Sequence, residues 1–160
     1  IEVTSMKKLY YLTLCLILSI CFHSTVLASD INASSTIVEY LKDGSYIETI
    51  LEENNSVGLF STTSTKSGKK TSTYKNSSGQ IQWSISVTGT FSYNGSSSKC
   101  MSSSISTTCP GKYWSLSGKS ASKSGATAIA TATAKYINGS NTKTVQRSVQ
   151  LTCSKNGTLS

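Results

Sequence analysis

The amino-acid sequence predicts an all-β protein: an antiparallel β-sandwich, immunoglobulin-like or related, with about seven to nine strands. Three kinds of observation lead to this prediction. Apolar and polar residues alternate along several segments, turn dipeptides containing Gly or Asn separate those segments, and no segment after residue 54 shows a helical period of about 3.6 residues. The chain has 160 residues and a single proline, so it can bury a hydrophobic core and little interrupts its strands.

The clearest predicted strand covers residues 81–93. Every second residue there is apolar, aromatic or glycine, and the residues between them are Ser, Thr or Gln. This alternation is typical of a strand with one buried face, and Gly89 within it predicts a bulge or bend. The alanines of residues 126–136 repeat the pattern. A last strand has one apolar face, formed by Val145, Val149, Leu151 and Cys153. The large side chains expected in the core are Trp83, Phe91, Tyr93, Trp114 and Tyr136.

Turn signals fall between the predicted strands. Asp43-Gly44 separates the apolar runs 37–41 and 46–51, and Asp-Gly between two such runs is a strong hairpin signal. The remaining turn dipeptides are Ser78-Gly79, Asn94-Gly95 and Asn138-Gly139. Their spacing predicts a chain that folds back at short intervals into antiparallel strands.

The start of the chain has the pattern of a secretory signal peptide. Two lysines precede the apolar run of residues 9–22, and the small residue Ala28 stands at the expected cleavage point. We therefore expect a signal-peptide helix in residues 1–28, and a start at Met6 would place residues 1–5 upstream of the true start. A retained N-terminal anchor is the alternative, although the run is shorter than the roughly 20 residues of a membrane span. Cleavage predicts a secreted, extracellular protein without a transmembrane segment.

Charge divides the rest of the chain into an acidic segment with a hairpin, residues 29–55, and a basic domain, residues 56–160. All six acids after the signal peptide precede residue 54, whereas residues 54–160 carry 12 bases and no Asp, Glu or His. Two arrangements remain open. In one, residues 52–55 are a linker to a free arm; in the other, the hairpin belongs to the same sheet and its acids offset some lysines.

The lack of acids and histidine in residues 54–160 argues against the common catalytic classes. General acid–base catalysis usually needs His or a carboxylate, glycoside hydrolysis needs two carboxylates, and a serine nucleophile needs a base beside it. Calcium, magnesium and zinc sites need carboxylate, His or Cys ligands. We therefore expect a protein that is not an enzyme and that binds no metal or other cofactor.

Three cysteines remain after signal cleavage: Cys100, Cys109 and Cys153. Export favours oxidation, and three cysteines allow one disulfide with one thiol left over. All three pairings are open, as is a reduced state in which the thiols are buried as small apolar groups. We favour a Cys100–Cys153 disulfide because both residues lie in strand-like runs, whereas Cys109 precedes Pro110 in a predicted loop.

Three segments carry a resemblance to known proteins: residues 74–79 (YKNSSG), Trp83 with residues 87–95 (VTGTFSYNG), and residues 151–160 (LTCSKNGTLS). Together they resemble a group of short secreted proteins of Gram-positive, clostridia-like bacteria over about residues 45–160. The group has no assigned function, so the resemblance implies export and a β fold and no mechanism. Cys100 and Cys153 match cysteines of that group, in agreement with the pairing favoured above.

Lysines form the first candidate site, because a β domain with 12 bases and no acids projects a positive field. The candidate anion-binding residues are Lys66, Lys69, Lys70, Lys75, Lys112, Lys119 and Lys123. The alternative is a solvated surface, since exposed lysines also keep strand edges apart and proteins in solution.

Hydroxyl groups and two aromatic residues are the other candidates. Ser and Thr supply 42 of the 107 residues after Glu53, and their rows on strands either hydrogen-bond a glycan or simply face solvent. Tyr113 and Trp114 follow Pro110-Gly111 and are the candidate aromatic contact for a sugar ring. The alternative for Trp114 is a place in the core.

These observations predict a secreted, non-enzymatic β-sandwich that associates with anionic cell-envelope polymer or lipid headgroups through a basic surface. Nucleic acid is not an expected partner, because basic and aromatic residues do not interleave as they do in stacking platforms. The alternative functions are a small cationic secreted toxin or antimicrobial effector, and a structural surface or matrix protein. The sequence leaves the oligomeric state open.

Overall fold

A computed structural model describes residues 31–54 and 63–160. The predicted signal-peptide helix, residues 1–28, lies outside the described residues. Those residues form eight β-strands, which confirms the all-β prediction, and they contain no helix able to cross a membrane. The strands are β1 (Ile31–Tyr40), β2 (Tyr46–Asn54), β3 (Ser64–Lys75), β4 (Ile81–Tyr93), β5 (Ser98–Thr108), β6 (Trp114–Ser124), β7 (Thr127–Asn138) and β8 (Asn141–Thr152).

The strands form two antiparallel sheets that pack as a sandwich. One sheet has five strands in the order β1-β2-β3-β4-β5, and the other has three in the order β6-β7-β8. Immunoglobulin domains join their strands by Greek-key connections, whereas each strand here pairs only with its neighbours along the chain. The fold is therefore a related sandwich, built as a meander that changes sheets once, between β5 and β6.

Strand β4 has the bounds that its alternation predicts. Its inward side chains include Trp83, Ile85 and Phe91, which are almost fully buried, while its Ser and Thr residues face outward. The bulge predicted at Gly89 is wrong, because this residue pairs in regular register with both neighbouring strands. The register between β4 and β5 shifts between Thr90 and Phe91, where Met101 of β5 is an extra residue without a partner on β4.

The predicted turns join the strands. Gly44, Gly79, Gly95 and Gly139 all have positive φ, a conformation that glycine adopts without a steric penalty. In the β1–β2 turn, the Asp43 carboxylate accepts hydrogen bonds from the backbone N–H and the hydroxyl group of Ser45. These two hydrogen bonds hold the pKa of Asp43 below its ordinary value, and the bond from the hydroxyl group has the larger effect.

Small residues set the distance between the two sheets. Four alanines of β7 (Ala128, Ala130, Ala132 and Ala134) are buried and face the larger sheet. A β carbon placed on Gly89 of β4 would lie 2.9 Å from Cβ of Ala128 and 2.6 Å from Cζ of Phe91. The sheets therefore approach closely at Gly89, and the large side chains of Trp83 and Phe91 fill the core on either side of it.

The acidic hairpin is part of the larger sheet. Strand β2 pairs with β3 along its whole length, from Tyr46 opposite Lys75 to Asn54 opposite Ser67. This pairing places Glu52 directly opposite Lys69. Of the two arrangements left open by the sequence, the one found is the shared sheet and not the free arm.

Candidate ligand-binding cleft and charged surface

Three of the predicted anion-binding lysines on β3 form ion pairs with acids of β2. Nζ of Lys66 lies 2.5 Å from the Glu53 carboxylate, and Nζ of Lys75 lies 2.8 Å from the Glu48 carboxylate. Nζ of Lys69 lies 3.8 Å from the Glu52 carboxylate. The hydrogen bond from Lys75 to Glu48 raises the pKa of this lysine. Because their charges are already matched, Lys66, Lys69 and Lys75 do not form the free basic patch that the sequence predicted.

The two other acids of the described residues also have basic partners. Asp43 lies 3.9 Å from Nζ of Lys143, and Glu39 lies 3.7 Å from a guanidinium nitrogen of Arg147. Both bases are on β8, so these contacts link the acidic hairpin to the smaller sheet. Such exposed pairs are weak, because water screens their charges.

Eight bases of the described residues have no acid within ion-pair distance: Lys42, Lys70, Lys99, Lys112, Lys119, Lys123, Lys135 and Lys155. Among the predicted site residues, Lys112 lies in the β5–β6 loop, and Lys119 and Lys123 lie on the exposed strand β6. Nζ of Lys123 donates to the Met101 carbonyl at 2.7 Å. Because a carbonyl is neutral, this hydrogen bond does not balance the charge of Lys123. Lys70 is separate from these residues, in a groove on the inner face of β3.

Five aromatic side chains form a continuous cluster at one end of the sandwich. Tyr74 stacks on Trp83 at 5.4 Å between ring centroids and meets Trp114 edge-on at 5.2 Å. The ring of Tyr136 lies 5.3 Å from that of Trp114 and 5.9 Å from that of Tyr113. The cluster thus joins the two sheets and extends from the buried Trp83 to Tyr113, which is 42% exposed.

The outer part of this cluster lines an open cleft of about 370 Å³, here called the aromatic cleft. Its lining residues are Asp43, Tyr74, Asn76, Gln82, Tyr113, Trp114, Tyr136, Asn141 and Lys143. Trp114 is half-buried: it packs against the core and also lines the cleft. Its contact with a sugar ring stays a prediction. Tyr113 and Trp114 are therefore brought together with Tyr74 and Tyr136. Tyr136 was expected in the core but is half-buried and lines the cleft.

Backbone hydrogen bonds fix the loop that carries Tyr113 and Trp114. The Gly111 N–H donates to the Gln82 carbonyl at 2.9 Å, and the Trp114 N–H donates to the Gly111 carbonyl at 3.0 Å. A β carbon on Gly111 would lie 2.8 Å from Oε1 of Gln82, so glycine allows the loop to lie against β4. The Ile137 N–H donates to the Tyr113 carbonyl at 2.9 Å and holds the other side of the loop.

Two lysines stand over tyrosine rings of the cleft. Nζ of Lys112 lies 5.3 Å from the centre of the Tyr113 ring, and Nζ of Lys143 lies 5.8 Å from that of Tyr74. Cation–π attraction at such distances contributes about 0.5–1 kcal/mol at an exposed site. It also holds the Lys112 ammonium beside the cleft, whereas Lys143 shares its charge with Asp43.

The outward hydroxyl rows of both sheets are hydrogen-bonded across strands. In the larger sheet, Thr71 pairs with Ser86 at 2.9 Å. In the smaller sheet, Ser120 pairs with Thr131 at 2.7 Å. Further pairs of this kind are Ser67 with Thr90, Ser84 with Thr108, and Thr127 with Thr152. Because these hydroxyls partly satisfy one another, the rows stabilise the sheets and carry little specific signal for a glycan.

The three cysteines of residues 31–54 and 63–160 are free thiols, and the predicted Cys100–Cys153 disulfide is not formed in the structure. Each of the two buried thiols donates to a carbonyl of its own segment, Cys100 to Ser102 at 3.2 Å and Cys153 to Ser154 at 3.4 Å. The two residues are nevertheless neighbours, because their N–H groups donate to the adjacent carbonyls of Gly125 and Ala126. Burial raises the pKa of both thiols, which slows their reaction as nucleophiles. Their pairing remains a prediction for the oxidised protein.

Thiol counting tests this pairing. In the native reduced protein we expect a thiol reagent to modify Cys109 first, since Cys109 is exposed and the other two are buried. All three thiols should react after unfolding. After oxidation, the intact mass should fall by two hydrogen atoms, and of these three residues only Cys109 should react with the reagent, both before and after unfolding. A disulfide that contains Cys109 would contradict the predicted pairing.

Sequence reasoning missed Tyr74, Tyr136 and Lys143 as cleft residues, because no local pattern indicates that three distant strands bring them together.

In residues 31–54 and 63–160, no group of three or more His, Cys, Asp or Glu side chains is arranged to hold a metal ion. A scan against protein-family models, a search of curated proteins and a search of solved structures each found no match.

Proposed function

We propose that this protein is an exported, non-enzymatic β-sandwich that binds an anionic glycopolymer of the bacterial cell envelope through the aromatic cleft and the lysines at its rim. The observation that carries the proposal is the position of Lys112 and Lys143 over the rings of Tyr113 and Tyr74. Rings, amides and cations are thereby combined in a single open cleft.

The cleft offers a chemical match to each part of an acidic sugar. The negative faces of the aromatic rings attract the C–H groups on the apolar face of a sugar ring. The side-chain amides of Asn76, Gln82 and Asn141 each supply donors and an acceptor for sugar hydroxyls. The ammonium group of Lys112, which has no acid within ion-pair distance among the described residues, supplies the positive charge that a carboxylate or phosphate on the polymer requires. Lys143 adds a charge that it shares with Asp43 at 3.9 Å.

The long-range field favours the same class of ligand. Eight lysines carry charge without a matching acid in the described part of the chain, and Lys112, Lys119 and Lys123 follow one another along the β5–β6 connection and β6. A field of one sign increases the rate of encounter with a polyanion, and salt screens it over about 8 Å at physiological ionic strength. We therefore assign encounter to the surface lysines and recognition to the cleft.

A titration with polygalacturonate tests this proposal, with neutral dextran as the comparison polymer. Binding is followed by the fluorescence of the two tryptophans, one of which lines the cleft. We expect polygalacturonate to bind, dextran to leave the signal unchanged, and Tyr113→Ala to weaken binding on the order of tenfold, since a stacked ring contributes roughly 1 kcal/mol or more.

A matched pair of double variants separates the cleft from general charge. Lys112→Gln with Lys143→Gln removes two charges at the cleft, and Lys99→Gln with Lys155→Gln removes two at the opposite end of the sandwich. We expect the cleft pair to weaken binding on the order of tenfold and the distant pair about twofold or less, because exposed charges act weakly at a distance. Equal losses would show that binding depends on net charge alone. Preferential binding to anionic lipid vesicles over polygalacturonate would also contradict the proposal.

A further inference from the structure

The two sheets differ in width, and this leaves one strand edge of the smaller sheet beside a surface that no described strand covers. Strand β8 packs over β3 and β4, whereas no strand of the smaller sheet lies over β1 or β2. A groove therefore runs between the edge of β8 and the inner face of β1 and β2. It consists of two adjoining clefts of about 370 and 400 Å³ that share Ile37, Thr49 and Lys70.

The C-terminal residues already occupy the first part of this edge. The Thr152 N–H donates to the Ser160 carbonyl, and the Ser160 N–H donates to the Thr152 carbonyl, both at 3.0 Å. Cys153 and Leu159 form the neighbouring antiparallel bridge. Residues 158–160 thus lie beside β8 in the position of a fourth strand, and they line one of the two clefts.

The rest of the β8 edge has the same hydrogen-bonding groups, and these have no backbone partner in residues 31–54 and 63–160. Because the backbone groups of alternate strand residues point the same way, the N–H and C=O groups of Gln150 and Ser148 point away from β7, as those of Thr152 do. Within the described residues no backbone group pairs with them on that side. Both residues line the groove, so a row of unpaired donors and acceptors continues the line of the C-terminal residues.

The side chains of the groove indicate the chemistry of an added strand. Ile37 is 62% exposed and forms an apolar wall. Lys70 lines both clefts, is half-buried, and has no carboxylate within ion-pair distance in the described part of the chain, unlike its three neighbours on β3. Arg147 adds a second positive group on the β8 side. Its guanidinium already forms an ion pair with Glu39 at 3.7 Å and donates a hydrogen bond to the Ser72 hydroxyl at 3.2 Å.

We infer that this groove, here called the edge groove, binds an extended acidic peptide segment, which adds to β8 as a fourth strand. Backbone hydrogen bonds to Ser148 and Gln150 supply affinity, as in other complexes formed by strand addition. The inward side chains of the peptide alternate with solvent-facing ones, so one carboxylate can reach Lys70 while apolar neighbours cover Ile37. The edge groove shares no lining residue with the aromatic cleft, so this inference and the proposed function fail independently.

The test uses the heptapeptide Thr-Val-Thr-Glu-Thr-Val-Thr with a fluorescent label, measured by polarisation, and amide hydrogen exchange of the full chain. We expect the peptide to bind and to slow exchange at the Ser148 and Gln150 amides. Two N-methylated versions, methylated at odd or at even positions, should differ on the order of tenfold or more, because only one set of N–H groups faces β8. This comparison needs no protein variant and therefore does not depend on refolding.

Charge variants test the role of Lys70. Replacing Glu with Gln in the peptide, or Lys70→Gln in the protein, should each weaken binding on the order of tenfold, since a charge-assisted hydrogen bond is lost. Lys99→Gln, which removes an exposed lysine of β5, is the matched control and should have no effect. The inference is overturned if the peptide leaves Ser148 and Gln150 unprotected, or if both N-methylated versions bind equally. It is also overturned if protection rises with protein concentration alone, which would identify a second copy as the occupant.

Discussion

Replacing Trp83 with alanine is expected to lower the free energy of unfolding by about 3–5 kcal/mol, which is the usual cost of removing a buried aromatic side chain. Trp83 is 1% exposed and is the largest fully buried side chain of the described residues. Its ring stacks on Tyr74 and lies 6.2 Å from that of Trp114, so the vacated volume adjoins the floor of the aromatic cleft. Chemical denaturation of wild type and variant, followed by circular dichroism, measures the difference.

The conservative replacement Trp83→Phe serves as the control. The indole Nε1 of Trp83 is buried and has no hydrogen-bond partner among the described residues. Phenylalanine leaves a smaller cavity and also removes this unsatisfied donor, whose burial costs about 1–3 kcal/mol. We therefore expect Trp83→Phe to destabilise much less than Trp83→Ala. A loss below about 1 kcal/mol for the alanine variant would contradict the packing described for this core.

Introducing valine at Gly89 is the second change with a large expected effect, about 2–3 kcal/mol or more in the free energy of unfolding. The first added carbon would lie 2.9 Å from Cβ of Ala128, closer than such atoms approach in proteins. Relief requires the two sheets to separate, which loosens contacts along the whole alanine row of β7. The outward neighbour Thr88→Val adds no atoms to the core and should change the free energy of unfolding by about 0.5 kcal/mol or less.

A double-variant cycle tests whether the close approach of the two sheets causes the loss of stability on substituting Gly89. Gly89→Ala alone should destabilise, and Ala128→Gly introduced with it should recover part of the loss, because one of the clashing atoms is then absent. Recovery should be incomplete, since the Phe91 ring also lies within 2.6 Å of the added carbon. Strict additivity of the two changes would show that Gly89 and Ala128 do not limit the distance between the sheets.

Strand and turn positions were predicted well from local signals. The alternation of residues 81–93 corresponds to β4 residue for residue, and Asp43-Gly44 marks the β1–β2 turn. Each of these features depends on the side-chain period of two in a strand or on the conformational preference of a turn residue. Gly89 shows the limit of this approach, because glycine marks both bulges and close contacts, and only the packed sheets distinguish them.

The sites were predicted in part. Tyr113 and Trp114 do line a cleft, since a loop after Pro110-Gly111 places adjacent aromatic residues at the end of a sheet. The other two rings, Tyr74 and Tyr136, come from β3 and β7 and have no local signature. Lys66, Lys69 and Lys75 were candidate anion-binding residues, and the register of β2 on β3 supplies each with a carboxylate.

The sequence by itself determined the all-β class, the bounds of β4, four of the turns and the separation of acids from bases along the chain. Only the tertiary structure decided which lysines keep a free charge, which rings share a cleft and which strand edge is left open. The physical reason is that the pleat and the turns are properties of a few consecutive residues. The partner of a side chain instead depends on strand register and on the stacking of the two sheets, which contacts between distant segments determine.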